Sequence, residues 1–165
     1  MSVALVRVDD RLLHGQVLIA WGSALEADRY VVADDALAAS PFESALVSSC
    51  GGESGVEIVP LEEGARRVVA EESRSGVAVV LVRGLPEALA LARAVRAAGG
   101  RLERVNLGGM HHAPGKERVH DFVYLGPEDR AALAALRDLA VRVVVQDVPA
   151  STPFDAPPAW SARVA

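Results

Sequence analysis

The run VAVVLV, from Val77 to Val82, constrains this chain more than any other stretch. It is too short for an independent helix, it is dominated by β-branched valine, and no polar side chain marks a solvent face of its pleat. Such a strand must be covered on both faces, which is the environment of a parallel sheet sandwiched between helices. Other runs predict further strands at Val3 to Val8, Arg29 to Ala33, Val56 to Pro60, Leu102 to Leu107, Asp121 to Leu125 and Val141 to Val148. Helical patterns lie between them: Val17, Leu18, Trp21 and Leu25; a segment opened by a capping box at Ser40-Pro41-Phe42-Glu43; Leu61 to Ser73; Pro86 to Gly99; and Pro127 to about Ala140. Strand and helix in alternation predict a three-layer α/β/α domain with a mainly parallel sheet. With 165 residues, 51% of them hydrophobic, the chain suits one domain with a sizeable core.

Several function classes drop out. A net charge of −5, with the arginines dispersed and not blocked into an arm or stripe, argues against a nucleic-acid partner. Cys50 is the only cysteine, so no internal disulfide can form, and it is expected to be a buried or inert thiol. The amino terminus has neither a basic n-region nor a long apolar h-region, and no apolar run reaches membrane-spanning length; the expectation is a soluble cytoplasmic protein. After the first strand comes DDRLLHG, with neither G-x-G-x-x-G nor a P-loop lysine, which removes the commonest nucleotide-binding readings of this fold class.

That loop is the first place to look for chemistry. In an open α/β sheet a strand-to-helix turn lies at the carboxyl end of the strand, where ligands bind. His14 titrates near neutrality and is nucleophilic when neutral; Gly15 and the residues after it present backbone N–H groups at a helix N-terminus, a seat for a phosphate. Arg11 adds a permanently charged fork that matches phosphate oxygens. No metal is expected here, because Asp9 and Asp10 are alternating neighbours that cannot both face His14 without a bend. On spacing alone, a histidine and an arginine that merely cap and solvate a loop stand level with phosphate chemistry.

The string VRVDDRLLHGQVLIAW closely resembles the opening of the enzyme IIB component of the mannose/sorbose family of the bacterial phosphoenolpyruvate-dependent sugar phosphotransferase system. A second block, VNLGGMHHAPGKERV from Val105 to Val119, resembles that family's later strand and its glycine-methionine loop. The likeness reaches to about Val148, so residues 1–148 are read as a single domain and 149–165 as a proline-rich, extended and partly mobile tail from which Trp160 packs back on the domain or on a neighbour. It implies a six-stranded parallel core with the first strand central and a final edge strand. It also implies that His14 accepts a phosphoryl group from a IIA component and passes it to a sugar bound by membrane IIC and IID components, with Nδ1 as the nucleophile and no cofactor. Peripheral association with a membrane permease follows from the same resemblance, and homo-oligomerisation stays open. Mannose, sorbose, fructose and amino sugars all fit. A regulatory phospho-protein that takes phosphate from IIA without sugar transport is the alternative.

Around His14 the expected supporting residues are Asp9 and Asp10, which orient Arg11 or hold the imidazole tautomer; Gly15; and Gly108 and Gly109, read as a loop crossing the mouth of the site. The family tends to place small hydroxyl residues and a proline after the fourth strand. Arg83 and Gly84 stand there instead, and Arg83 is expected to supply an anion contact. Asp34 and Asp35 end the second strand at the same sheet edge and read as solvated turn acids. A metal reading of His111, His112 and His120 is disfavoured, since no cysteine or paired acid accompanies them, and a solvated loop accounts for them.

Overall fold

The computed structural model describes residues 3–162. Strand β1 (Val3–Asp9) leads through a turn into a π-helical stretch, Gln16–Trp21, continued by α1 (Gly22–Leu25). There follow β2 (Arg29–Ala33), α2 (Asp35–Ala38), α3 (Pro41–Ser49), β3 (Gly55–Val59), α4 (Leu61–Glu71), β4 (Ala78–Val82), α5 (Leu85–Ala97) and β5 (Arg104–Gly109). The chain closes with β6 (Glu117–His120), β7 (Val123–Leu125), α6 (Pro127–Asp138), β8 (Arg142–Val145), β9 (Phe154–Asp155) and a 3-10 turn at Pro158–Ser161.

Seven strands form one sheet in the order β3-β2-β4-β1-β5-β8-β9, parallel throughout except for the antiparallel edge strand β9. The apolar run at Val77 to Val82 supplies β4, buried along its whole length between β1 and β2. Alternation along the strands splits the core into two layers. Val6, Val8, Val80, Val82, Val105 and Leu107 pack with residues of α4, α5 and α6; Leu5, Tyr30, Val32, Val79 and Leu81 pack with Leu12, Leu13, Val17, Trp21 and Leu37. The three-layer α/β/α reading therefore holds, with β1 at the centre of the sheet.

Five expectations change. The strand expected at Asp121 to Leu125 forms over Val123–Leu125 but lies outside the main sheet: β7 pairs antiparallel with β6 in a separate hairpin turned at Asp121 and Phe122. Between Gly109 and Val123 no helix crosses back over the sheet, and β7 meets the chain beyond β5 only through a parallel bridge from Val123 to Met110. The sixth parallel strand is β8, and the sheet's edge is β9, taken from the segment read as tail, where Trp160 packs on the core and its carbonyl accepts from Arg130 Nη1 at 3.0 Å. Gly108 and Gly109 belong to β5 and are not loop, and neither is among the glycines with positive φ. The box at Ser40 forms from one side, Ser40 Oγ accepting from Glu43 N–H at 3.4 Å. Cys50 ends α3 exposed, and not buried.

Candidate active site

The site begins beneath the surface, on the strand. Arg7 shares with Leu5 the face toward the α1 side of the sheet and is fully buried, a costly place for a charge unless it is paired and hydrogen-bonded. Its Nη2 donates to Asp9 Oδ2 at 2.9 Å, and its Nη1 donates to Asn106 Oδ1 at 2.7 Å and to the Gln146 carbonyl at 3.2 Å. The guanidinium lies 5.6 Å from the centre of the Trp21 ring, whose Nε1 donates to the Asp147 carbonyl at 2.8 Å. Burial lowers the Arg7 pKa and the Asp9 carboxylate opposes that shift. Gly108 makes the arrangement sterically feasible: a Cβ there would stand 1.9 Å from Arg7 Cζ. At this point β5 carries an extra residue, since Val8 pairs with Leu107 but Asp9 with Gly109.

Asp9 is the hub. Its Oδ2 accepts from Arg7, from Arg11 Nη2 at 3.2 Å and from His14 Nε2 at 3.1 Å, while its Oδ1 accepts from Arg11 Nε at 3.2 Å and Arg11 N–H at 3.0 Å. Burial alone would raise the Asp9 pKa; the hydrogen bonds from Arg11 and His14 and the field of Arg7 outweigh it and hold the group below the ordinary carboxylate range. An ionised carboxylate only accepts, so the hydrogen-bond network places the His14 proton on Nε2 and leaves the lone pair on Nδ1. Burial lowers the His14 pKa, with Arg11 and Arg7 adding to the effect and Asp9 opposing it, so the imidazole is neutral at pH 7. The His14 side chain is 18% exposed, enough for one edge of the ring to be reached from solution.

The turn that carries these groups is locally specified. Leu12 N–H donates to the Asp9 carbonyl at 2.9 Å, and Leu12 takes a left-handed conformation (φ 54) while its side chain is buried. For a residue other than glycine this is strained backbone, held here by packing of Leu12 and Leu13 into the α1-side core. The first backbone bond of the following helix runs from Leu18 N–H to the His14 carbonyl at 3.0 Å, so the N–H groups of Gly15, Gln16 and Val17 precede it. A Cβ at Gly15 would meet nothing within 4 Å, which leaves open space beside His14. The helix then opens as a π-turn, a form concentrated at functional sites.

Asp9, Arg11, His14 and Gly15 thus converge, whereas the other expected residues flank them. Asp10 turns away from His14 and accepts from His111, through the backbone N–H at 2.7 Å and Nδ1 at 2.6 Å. Gly109 lets β5 approach Asp9, since a Cβ there would sit 3.3 Å from Asp9 Oδ2. Val82 pairs with Val8, so Arg83 stands one strand over from Asp9, but its fork is taken by Asp34 at 2.8 and 3.0 Å. Asp34 is buried and not solvated; it also caps α2 by accepting from Leu37 N–H at 2.8 Å. Asp35 accepts from Leu61 N–H at 2.8 Å. Of the remaining histidines, His112 meets the Tyr124 ring edge-on and His120 lies among Phe122, Phe154 and Trp160. Sequence reasoning gave no site role to Arg7, Asn106, Gln16 or Trp21 and read His111 as part of a solvated loop, whereas it is bonded to Asp10; an arginine inside an otherwise apolar strand was the signal for the first.

Known proteins resemble this chain along nearly its whole length. Residues 3–160 match the family described as the PTS system sorbose subfamily IIB component. The chain belongs to that family. It is 29% identical over 150 residues to N-acetylgalactosamine-specific phosphotransferase enzyme IIB component 1 of Escherichia coli strain K12, covering 90% of this chain and 92% of that one. It is 28% identical over 148 residues to the mannose-specific EIIAB component of the same strain, of whose length it spans 45%. Among solved structures, the IIBSor domain of the sorbose permease from Klebsiella pneumoniae superimposes with a TM-score of 0.82 at 26% identity, covering 94% of this chain and 93% of that one. As a IIB component this protein is a phosphotransferase of a sugar phosphotransferase system.

Proposed function

We propose that His14 is the phosphoryl-carrying residue, charged by a phosphohistidine on a IIA component and discharged to a sugar held by membrane IIC and IID components. The observation that carries this reading is the hydrogen bond from His14 Nε2 to Asp9 Oδ2, because it leaves Nδ1 unprotonated on a ring that is neutral at pH 7. In the first transfer the Nδ1 lone pair attacks phosphorus in line, the P–N bond of the donor breaks, and the donor imidazole leaves with that electron pair. In the second, a sugar hydroxyl oxygen attacks, the P–Nδ1 bond breaks, His14 recovers its lone pair and the hydroxyl proton is released.

Arg11 and the N–H groups of Gly15 and Gln16 hold the equatorial oxygens during both steps. Arg11 is free to do so because its side chain is 43% exposed and its bonds to Asp9 are long ones, so phosphoryl oxygens can replace a carboxylate already shared with Arg7. Asp9 holds the tautomer, Asp10 fixes the turn, Gly108 and Gly109 let β5 close against it, and Arg83 contributes charge from the neighbouring strand. Too tight a hold on phosphohistidine would stall the second transfer, and the buried Asp9 charge opposes such a hold. Among the described residues no helix is long and apolar enough to cross a membrane, so the reading brings the chain to the bilayer through its IIC and IID partners.

Incubation with enzyme I, the histidine carrier protein, a IIA component and labelled phosphoenolpyruvate tests the proposal. Label should enter the parent protein and be absent from His14→Ala, while His112→Ala and His120→Ala keep it. Label retained on His14→Ala would move the site elsewhere.

A further inference from the structure

Asp10 and His111 stand 101 residues apart in sequence and form the shortest polar contact at the mouth of the site. Asp10 N–H donates to the Gly109 carbonyl at 3.0 Å, His111 N–H donates to Asp10 Oδ2 at 2.7 Å, and His111 Nδ1 lies 2.6 Å from Asp10 Oδ1. The carboxylate can only accept, so His111 carries its proton on Nδ1 and the pair is a two-point, charge-assisted clamp. A Cβ at Gly109 would lie 3.1 Å from His111 Cε1 and 3.3 Å from Asp9 Oδ2, so the imidazole and the hub carboxylate flank one narrow gap.

The clamp has a firm base. Met110, which precedes His111, is buried; its N–H donates to the Phe122 carbonyl at 2.9 Å and its carbonyl accepts from Tyr124 N–H at 2.8 Å. The β6–β7 hairpin, which contributes no strand to the main sheet, thereby fixes the backbone from which His111 reaches Asp10. On its other side the same turn is fixed by Arg7 through Asp9, and the strained Leu12 follows these two anchors in the turn.

We propose that His111 is a positioning residue for phosphoryl transfer, acting through Asp10 to hold the Asp9–His14 turn in register with β5, and that the β6–β7 hairpin exists to buttress it. The inference rests on His14 being the phosphoryl carrier. His111 bonds to Asp10 and His14 to Asp9, so His111 acts by setting where the reacting ring stands. Misplacement of a reacting group by about 1 Å costs on the order of a hundredfold in rate, so loss of one arm of the clamp has a measurable effect without a change of chemistry.

Single-turnover transfer from phosphorylated IIA, measured across IIA concentrations, tests the proposal. His111→Ala should lower the saturating rate by roughly tenfold while half-saturation stays within about twofold, a split expected of lost positioning and not of lost docking. His111→Asn puts an amide donor near the place of Nδ1 and should recover most of the rate. Asp10→Asn should lose a similar factor, and the double variant Asp10→Asn with His111→Ala should be little worse than either alone. A His111→Ala rate within twofold of the parent, or losses that multiply in the double variant, would overturn the proposal. Label that persists on His14→Ala would instead overturn the carrier assignment, so the two failures are distinct.

Discussion

Arg7 and Arg11 both hydrogen-bond the Asp9 carboxylate, yet Arg7 is fully buried on a central strand while the Arg11 side chain is 43% exposed on the turn above it. The inner arginine is tied to Asp9, Asn106 and the Gln146 carbonyl, partners drawn from three neighbouring strands or their ends. The outer one is tied to Asp9 and to Gln16 Oε1 at 2.9 Å, both within five residues of it. A floor built by strand pairing cannot rearrange without breaking the sheet, whereas a rim built within one turn can exchange partners. The site thus combines a fixed counter-charge that sets the state of Asp9 and His14 with a movable cation for incoming oxygens.

The sharpest way to break this comparison is at the floor. Arg7→Met leaves Asp9 buried without its inner partner, and we expect it to destabilise the fold by about 3–5 kcal/mol in urea unfolding. A loss below about 1 kcal/mol would show that Asp9 does not depend on the floor. At the rim, Arg11→Lys keeps charge but loses the planar fork. Transfer from IIA should slow roughly ten- to a hundredfold, the scale of one positioned donor, with stability changed by less than about 0.5 kcal/mol. Equal rates would assign Arg11 to structure.

A smaller effect appears in pH dependence. Burial holds the His14 pKa below its ordinary value, so phosphoryl acceptance should persist as pH falls through about 6.5, where a free imidazole is half protonated. The same depression means that the unfolded chain binds the proton more readily. Its contribution to stability is full above about 6.5 and is lost as pH falls through the lowered folded value; His14→Ala should flatten that part of the stability curve. Acceptance that halves near pH 6.5 would place His14 in a solvent-like setting. The smallest effect should come from Arg83→Ala: its fork is already engaged by Asp34, and removing its screened charge should shorten the lifetime of phospho-His14 by about twofold.

What the sequence made legible follows the range of the interactions. β4 and the turn from Asp9 to Gly15 are specified by residues close together, and both stand where their local pattern put them. Arg7 could not be placed in the same way. It alternates with the apolar Val6 and Val8, which reads equally as a solvent face of a strand, and only the pairing of β1 with β5 brings Asn106 beneath it and Gly108 against it. The hairpin was hidden for a related reason: Glu117 and Arg118 are exposed, so β6 lacks the apolar run that marks a buried strand, and its role emerges only through Met110 and His111. Asp34 looked like a solvated turn acid because its partner, Arg83, lies 49 residues away.

The central claim is that Asp9 fixes the His14 tautomer so that Nδ1 is the acceptor, and long-range 1H–15N NMR of histidine-labelled protein reads it directly. The free protein should show His14 protonated on Nε2 at pH 7, and after phosphorylation the phosphorus should couple to Nδ1. A proton on Nδ1 in the free form, or phosphorus on Nε2 or on another histidine, would contradict it.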